Sequence, residues 1–186
     1  MKLEKDIKHW LKEGKQSKTT KRVKKLASKF SGDDFEKIQG ILNWMSKNLK
    51  PCKDYKKVLK IFATRSIDKI LKDGFVTGCH DNALIFAILC RAVGIPAKYI
   101  GGIDKLDPKN RGHCVVEVYI NKNWIIIDQS RKTIALDIKK SDFYKQNYII
   151  GKGLDSWEIG IKSFKNWKDK SEKIVKIISK INTSKN

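Results

Sequence analysis

Thr77-Gly78-Cys79-His80-Asp81-Asn82-Ala83-Leu84-Ile85-Phe86-Ala87-Ile88-Leu89-Cys90-Arg91-Ala92-Val93 is the stretch on which the fold turns. From Cys79 to Val93 the apolar residues cover the whole circumference of a helix, and a helix with no polar face must be enclosed by the rest of the chain. Gly94-Ile95-Pro96 stops it. The period then changes: alternation predicts strands over 97–103, 113–120 and 124–128, with 133–138 as an edge strand.

Upstream of the enclosed helix the pattern is helical. Leu3, Ile7, Trp10 and Leu11 fall on one stripe, as do Val23, Leu26, Ala27 and Phe30. Asp33 with Glu36 forms a capping-box signature for a third helix striped by Phe35, Ile38, Leu42, Met45 and Leu49, which Pro51 ends. Tyr55, Val58, Leu59 and Phe62 suggest a short helix, and Ser66 to Asp73 another, with Gly74 just past its end. Helical spacing returns at Trp157, Ile161 and Phe164, then at Ile174, Ile178 and Ile181, before a polar end from Asn182 to Asn186.

The expected architecture is α+β: N-terminal helices and a central buried helix packed on a small antiparallel sheet, closed by a C-terminal helix. At 186 residues the chain fits one domain with helical additions. Residues 1–32 read as an N-terminal helical extension, 33–138 as the core, and 139–186 as a helical segment packed on it.

Composition narrows the function classes. A 40% hydrophobic content excludes wholesale disorder despite 33% charged residues. The longest apolar run, Ala83 to Cys90, is far short of the roughly 20 residues a bilayer needs, and the start shows no signal-like apolar stretch. A soluble, cytoplasmic protein with no membrane partner is the expectation. Net charge is +21, concentrated in residues 1–30 and 139–186, and the bases are Lys apart from Arg22, Arg65, Arg91, Arg111 and Arg131. Without an Arg cluster or aromatic and basic interleaving, solvated helix faces are favoured over a nucleic-acid site. Four cysteines in such a chain are expected to be reduced thiols.

Chemistry is expected where helix meets strand. Gly78 permits a tight turn and Cys79 follows at the first helical turn, where backbone amides and the helix dipole favour a thiolate. Cys90, deep in the same helix, reads as a small core residue, and Cys52 has no context. The chain holds three histidines: His9 in the opening helix, His80 about 100° around the helix from Cys79, and His113 at the start of a strand. His113 is therefore the candidate base. If Asn121 and Lys122 form the hairpin turn, Ile120 pairs with Asn123, and Asp128 falls opposite Val115, on one face with His113. Cys79, His113 and Asp128 thus form a candidate nucleophile, proton shuttle and orienting carboxylate. Convergence of Cys79 on the other two does not follow from spacing.

At these residues the sequence resembles the transglutaminase-like superfamily, a branch of the papain-like cysteine fold. The glycine and cysteine of the nucleophile motif fall at Gly78-Cys79 before His80, adjacent instead of spaced as Gly-x-Cys; Arg-Ala-x-Gly-Ile-Pro-Ala is matched at Arg91 to Ala97, the histidine with its hydrophobic strand at His113 to Tyr119, and Trp-x-x-x-Asp at Trp124 to Asp128. The ordered motifs cover about residues 33–130. Three further places depart from the family pattern: Cys114 where an aromatic often stands, Gln129-Ser130 in place of Pro-Thr, and Lys98 in place of arginine.

The resemblance implies a cysteine-dependent hydrolase or acyltransferase acting on peptide or glutamine side-chain amides through a Cys79 thioester, with hydrolysis slightly ahead of cross-linking. The oxyanion would be held by the Cys79 N–H and a second donor, for which Trp44 and Tyr55 are weak candidates. No cofactor is implied. A zinc site built from Cys79-His80 and His113-Cys114 is disfavoured because adjacent residues project in different directions, and no acidic cluster suggests calcium. The competing reading is a catalytically silent binding module whose Lys-rich ends hold a polyanion or a protein partner.

Overall fold

The computed structural model describes the backbone of residues 2–183 and the side chains of 6–180; the stripe residues Leu3 and Ile181 and the last three residues of the polar end lie outside those limits. The opening helix α1 (Lys2–His9) ends earlier than its stripe. Trp10 turns aside to meet Trp124 edge-on at 6.4 Å, its carbonyl accepts from the Ala97 N–H at 3.0 Å, and Leu11 is left exposed. Helix α2 (Lys21–Ala27) is capped by Thr20 and buries Val23, Leu26 and Ala27. Helix α3 (Asp34–Asn48) starts with the expected box, Asp33 accepting from the Glu36 N–H while Glu36 accepts from the Asp33 N–H. Its core face is Ile38, Ile41 and Met45, and Phe35 stays outside.

A two-residue strand β1 (Lys50–Pro51) follows, then α4 (Tyr55–Ile61) and α5 (Ile67–Asp73), which ends on Gly74 in the left-handed region at φ 70°. Strand β2 (Phe75–Val76) pairs in parallel with β1, Cys52 donating to Val76 at 2.9 Å. This ribbon carries no sequence alternation, being two residues long. It fixes the approach to α6 (Cys79–Ala92), the enclosed helix. Leu84, Ile85, Phe86, Ile88 and Leu89 are fully buried, each contributing about 1.5–3 kcal/mol over an exposed side chain.

Strands β3 (Ala97–Asp104), β4 (Gly112–Ile120), β5 (Asn123–Asp128) and β6 (Thr133–Ala135) follow as a meander. The hairpin register is as expected, Ile120 opposite Asn123 and Val116 opposite Ile127. Asn121 and Lys122 both have positive φ, 48° and 63°, as a two-residue turn of the primed type requires. After a 3-10 turn (Ile138–Lys140) and α7 (Asp142–Gln146), the chain returns as β7 (Asn147–Gly153), and α8 (Phe164–Thr183) closes the fold. The sheet is antiparallel throughout, in the order β6-β5-β4-β3-β7.

Two features of 139–163 differ from the helical spacing read there. β7 is a sheet strand, and its alternation is hidden by Gly151 and Gly153, which face Gly101 and Tyr99 across the ladder and leave room for Ile159. Trp157 lies in a turn and Ile161 in the irregular chain just after it, because Gly160 at φ 76° breaks any helix between them. Alternate residues of β4 and β5 divide between two clusters: Val116, Val118, Ile125 and Ile127 pack toward α6, while Val115 and Ile126 meet Phe143 of α7. No helix among the described residues is long and apolar enough to cross a membrane.

Candidate active site

Cys79 opens α6 directly after Gly78, whose φ of 140° is strained for any residue with a Cβ. The turn before it is pinned by Asp81, which accepts from the Thr77 N–H at 2.7 Å, the Thr77 hydroxyl at 2.8 Å and Arg65 Nη2 at 2.5 Å. The Cys79 N–H belongs to the first helical turn, where backbone amides have no intrahelical acceptor. Its sulfur is half-buried at the floor of a cleft of about 480 Å³, which His113, Cys114 and Thr77 also line.

His113 enters from β4. Its Nε2 lies 2.7 Å from Asp128 Oδ2, and the ring lines the same cleft as Cys79, which leaves Nδ1 as the nitrogen not taken by the carboxylate. Asp128 is itself held, its Oδ1 accepting from the Ser130 and Arg131 N–H groups at 3.1 and 3.0 Å. The structure thus brings Cys79, His113 and Asp128 together, and the parity argument placed the latter two on one face for the right reason.

Of the two neighbouring thiols Cys79 and Cys114, electrostatics favour the negative charge on Cys79. The neighbouring Cys114 thiol and the positively charged His113 ring stabilise the thiolate, so the Cys79 thiol is held well below its ordinary range despite burial. His113 moves the other way: burial opposes its charge, but Asp128 and the Cys79 thiolate overcome that and push it up from 6.5 to about 9. Cys114, bonded to a neighbouring thiolate and buried, is raised well above an ordinary thiol. Tyr99, also raised by burial, donates its hydroxyl to Cys114 Sγ at 2.9 Å. With Cys114 Sγ accepting from Tyr99, the Cys114 S–H is left to donate toward its neighbours in the cleft.

Two of these contributors are absent from the sequence reading's site. Cys114 and Gln129 stood only as departures from a family pattern. Gln129 Nε2 donates to the carbonyls of both Cys79 (3.3 Å) and Cys114 (2.9 Å), tying the helix start to the strand. The signal was available: each sits one position along from His113 or Asp128, and by the period of 2 must face the opposite side, toward α6. Lys98, the third departure, lies 3.3 Å from Glu117 on β4, away from the cleft.

Other candidates are placed elsewhere. Cys90 is fully buried and pushed above the ordinary thiol range by desolvation. His80 is sealed in the core with Nδ1 3.0 Å from Asp81 and Nε2 2.8 Å from Ser156 Oγ, so the four residues of the zinc alternative do not converge. Among the described residues no three His, Cys, Asp or Glu side chains cluster as a metal would need. Trp44 lines a separate groove with Lys21 and Lys29, while Tyr55 stands on the wall of the Cys79 cleft, 70% exposed.

A cysteine, a histidine and an aspartate gathered at the start of a buried helix are side-chain types that nucleophilic attack on a carbonyl employs. The sequence pattern of the transglutaminase-like superfamily matches residues 21–129, and the chain belongs to that superfamily. An uncharacterized protein of Haemophilus influenzae is 28% identical over 88% of this chain and 51% of its own, so the chain spans about half the length of the curated relative it matches. In three dimensions it is similar to the solved structure of a "Putative Cysteine Protease" from Cytophaga hutchinsonii, with a TM-score of 0.62, 24% identity, and coverage of 82% of this chain and 48% of the other. That likeness is one of overall architecture, helices packed on a small antiparallel sheet.

Proposed function

We propose that this chain is a thiol enzyme that cleaves or transfers the acyl group of a peptide or glutamine side-chain amide, with Cys79 as nucleophile, His113 as proton shuttle and Asp128 as orienting carboxylate. The observation that carries the reading is His113 shared between Asp128 and Cys79 at the floor of an open cleft. The thiolate attacks the amide carbon, and the oxyanion forms beside the Cys79 N–H. His113 Nδ1–H then protonates the leaving nitrogen as the C–N bond breaks, giving an acyl thioester and a free amine. The neutral ring next takes a proton from water, or from a second amine, as that nucleophile attacks the thioester and the Cys79 thiolate departs. Asp128 keeps Nε2–H directed and offsets the ring's positive charge throughout.

Peptidase or amidase action is the first reading and amine transfer the second. A glutamine peptide incubated with and without a primary amine separates them: ammonia release alone means side-chain amide hydrolysis, a new peptide end means peptidase action, and amine incorporation means transfer. No reaction under any condition, with Cys79 alkylating like an ordinary thiol, would refute the enzyme.

A groove of about 560 Å³ lined by Lys21, Arg22, Lys25 and Lys29 favours a second reading, a silent module that binds a polyanion. Retention on nucleic acid that falls with salt and is unchanged in Cys79→Ala supports that module.

A further inference from the structure

The walls of the cleft are more specific than its floor. Val58 and Leu59 of α4 with Phe62 form one side, and Ile161, Phe164 and Trp167 form the other. Phe62 and Phe164 meet edge-on at 5.9 Å, and Phe164 stacks on Trp167 at 5.5 Å. Trp167 fits because Gly112 has no side chain: a Cβ there would lie 2.9 Å from the indole nitrogen. This recess beside Cys79 suits a large apolar side chain, not the carboxamide of glutamine.

The cleft also continues outward. A second cavity of about 430 Å³ shares Asn110 and Lys168 with the first and is lined further by Lys109, Lys176, Val175 and Glu172. Lys168 Nζ donates to Lys109 O at 2.7 Å and Asn110 Oδ1 at 3.2 Å, and the Ser171 hydroxyl to Pro108 O, so α8 is fastened to the loop before β4. Three lysines thus line this cavity with one glutamate, and among the described residues neither Lys109 nor Lys176 is in an ion pair. The α8 wall lies outside the superfamily match at 21–129.

We infer that α8 is the specificity element, selecting a peptide with a large apolar side chain in the recess beside Cys79 and an acidic side chain a few residues away, held by Lys109, Lys168 and Lys176. This rests on the reading of Cys79 as the nucleophile and narrows its substrate. Burying a phenyl ring and seating a carboxylate among lysines each favour the matching peptide by about tenfold or more.

Synthetic peptides with a central Phe or Ser, flanked by Asp or by Lys, separate the contributions. Binding to the Cys79→Ala protein is read by fluorescence anisotropy and turnover by the wild type by mass spectrometry. The Phe peptide with Asp flanks should bind at least tenfold tighter than either single change. Trp167→Ala should erase the Phe preference, and Lys109→Glu with Lys176→Glu, both at the surface, should reverse the preference for Asp. Equal binding of Phe and Ser peptides, Lys flanks bound as well as Asp flanks, or no binding at all overturns the inference. Selective binding without turnover upholds the pocket and refutes the nucleophile; turnover without selectivity does the reverse.

Discussion

Two histidines in this molecule pair with aspartates, and only one pair faces a cleft. His80 and Asp81 are 1% exposed, with Ser156 completing a sealed Ser–His–Asp cluster in which Ser156 also bonds Gln16 at 2.7 Å and the Ile161 carbonyl at 2.9 Å. His113 and Asp128 form a shorter contact, but the ring's other nitrogen meets a cysteine at a helix start and its side chain is 15% exposed. Tyr99 stands between the two, its ring edge-on to His80 at 5.9 Å and its hydroxyl on Cys114. The same side-chain types make a sealed joint in one place and line a cleft beside a cysteine in the other. What separates them is access and the partner on the far nitrogen: a closed hydroxyl network locks protons, whereas a thiol beside an open cleft can give one up.

The sharpest break between the pairs should come from removing the proposed nucleophile or its proposed proton shuttle. Cys79→Ala is expected to abolish turnover, and His113→Gln or Asp128→Asn to lower kcat by about 10⁴-fold or somewhat less, with thermal unfolding changed by only a few degrees. Comparable losses caused by unfolding would erase the distinction. The sealed cluster should answer in stability instead. Arg65→Met, which strips Asp81 of its closest cation and Asp73 of a partner, is expected to cost about 3–5 kcal/mol, read as a fall in Tm of roughly 10 °C.

Much of this contrast was written in the sequence, for a physical reason. A helix apolar on all sides and a hairpin with a two-residue turn impose a buried axis and a fixed register, so Asp128 and His113 had to share a face. The convergence of Cys79 was not legible, because it depends on a ribbon of two residues per strand and on Asp81 pinning Thr77, neither of which has a periodic signature. β7 was hidden for a related reason: its neighbours are glycines covered by Ile159, and a strand without side chains on one face shows no alternation. Cys114 and Gln129 were visible by parity yet appeared only as departures from a pattern.

Smaller effects sharpen the picture. Cys114→Ala removes the donor nearest the thiolate, and alkylation of Cys79 at neutral pH should slow about tenfold, as expected for one hydrogen bond to a charged group; an unchanged rate would mean His113 suffices alone. The alkaline side of the pH profile belongs to His113. Raised from 6.5 to about 9, its proton stabilises the folded state fully below 6.5, and that contribution is lost as pH climbs through about 9. Turnover should fall through the same interval, since the leaving nitrogen then lacks its acid. In Asp128→Asn this limb should move toward 6.5. Asp128, lowered from 3.8 against the pull of burial mainly by His113, stabilises the fold above 3.8 and ceases to as pH falls through its folded value.

The rate of Cys79 alkylation by iodoacetamide, followed by mass spectrometry from pH 4 to 10 alongside free N-acetylcysteine in the same sample, tests the central claim most directly. Cys79 should already react at pH values where the free thiol is silent, and His113→Gln should bring the two curves together. A wild-type Cys79 whose curve coincides with that of the free thiol, near about 8.5, would contradict the account.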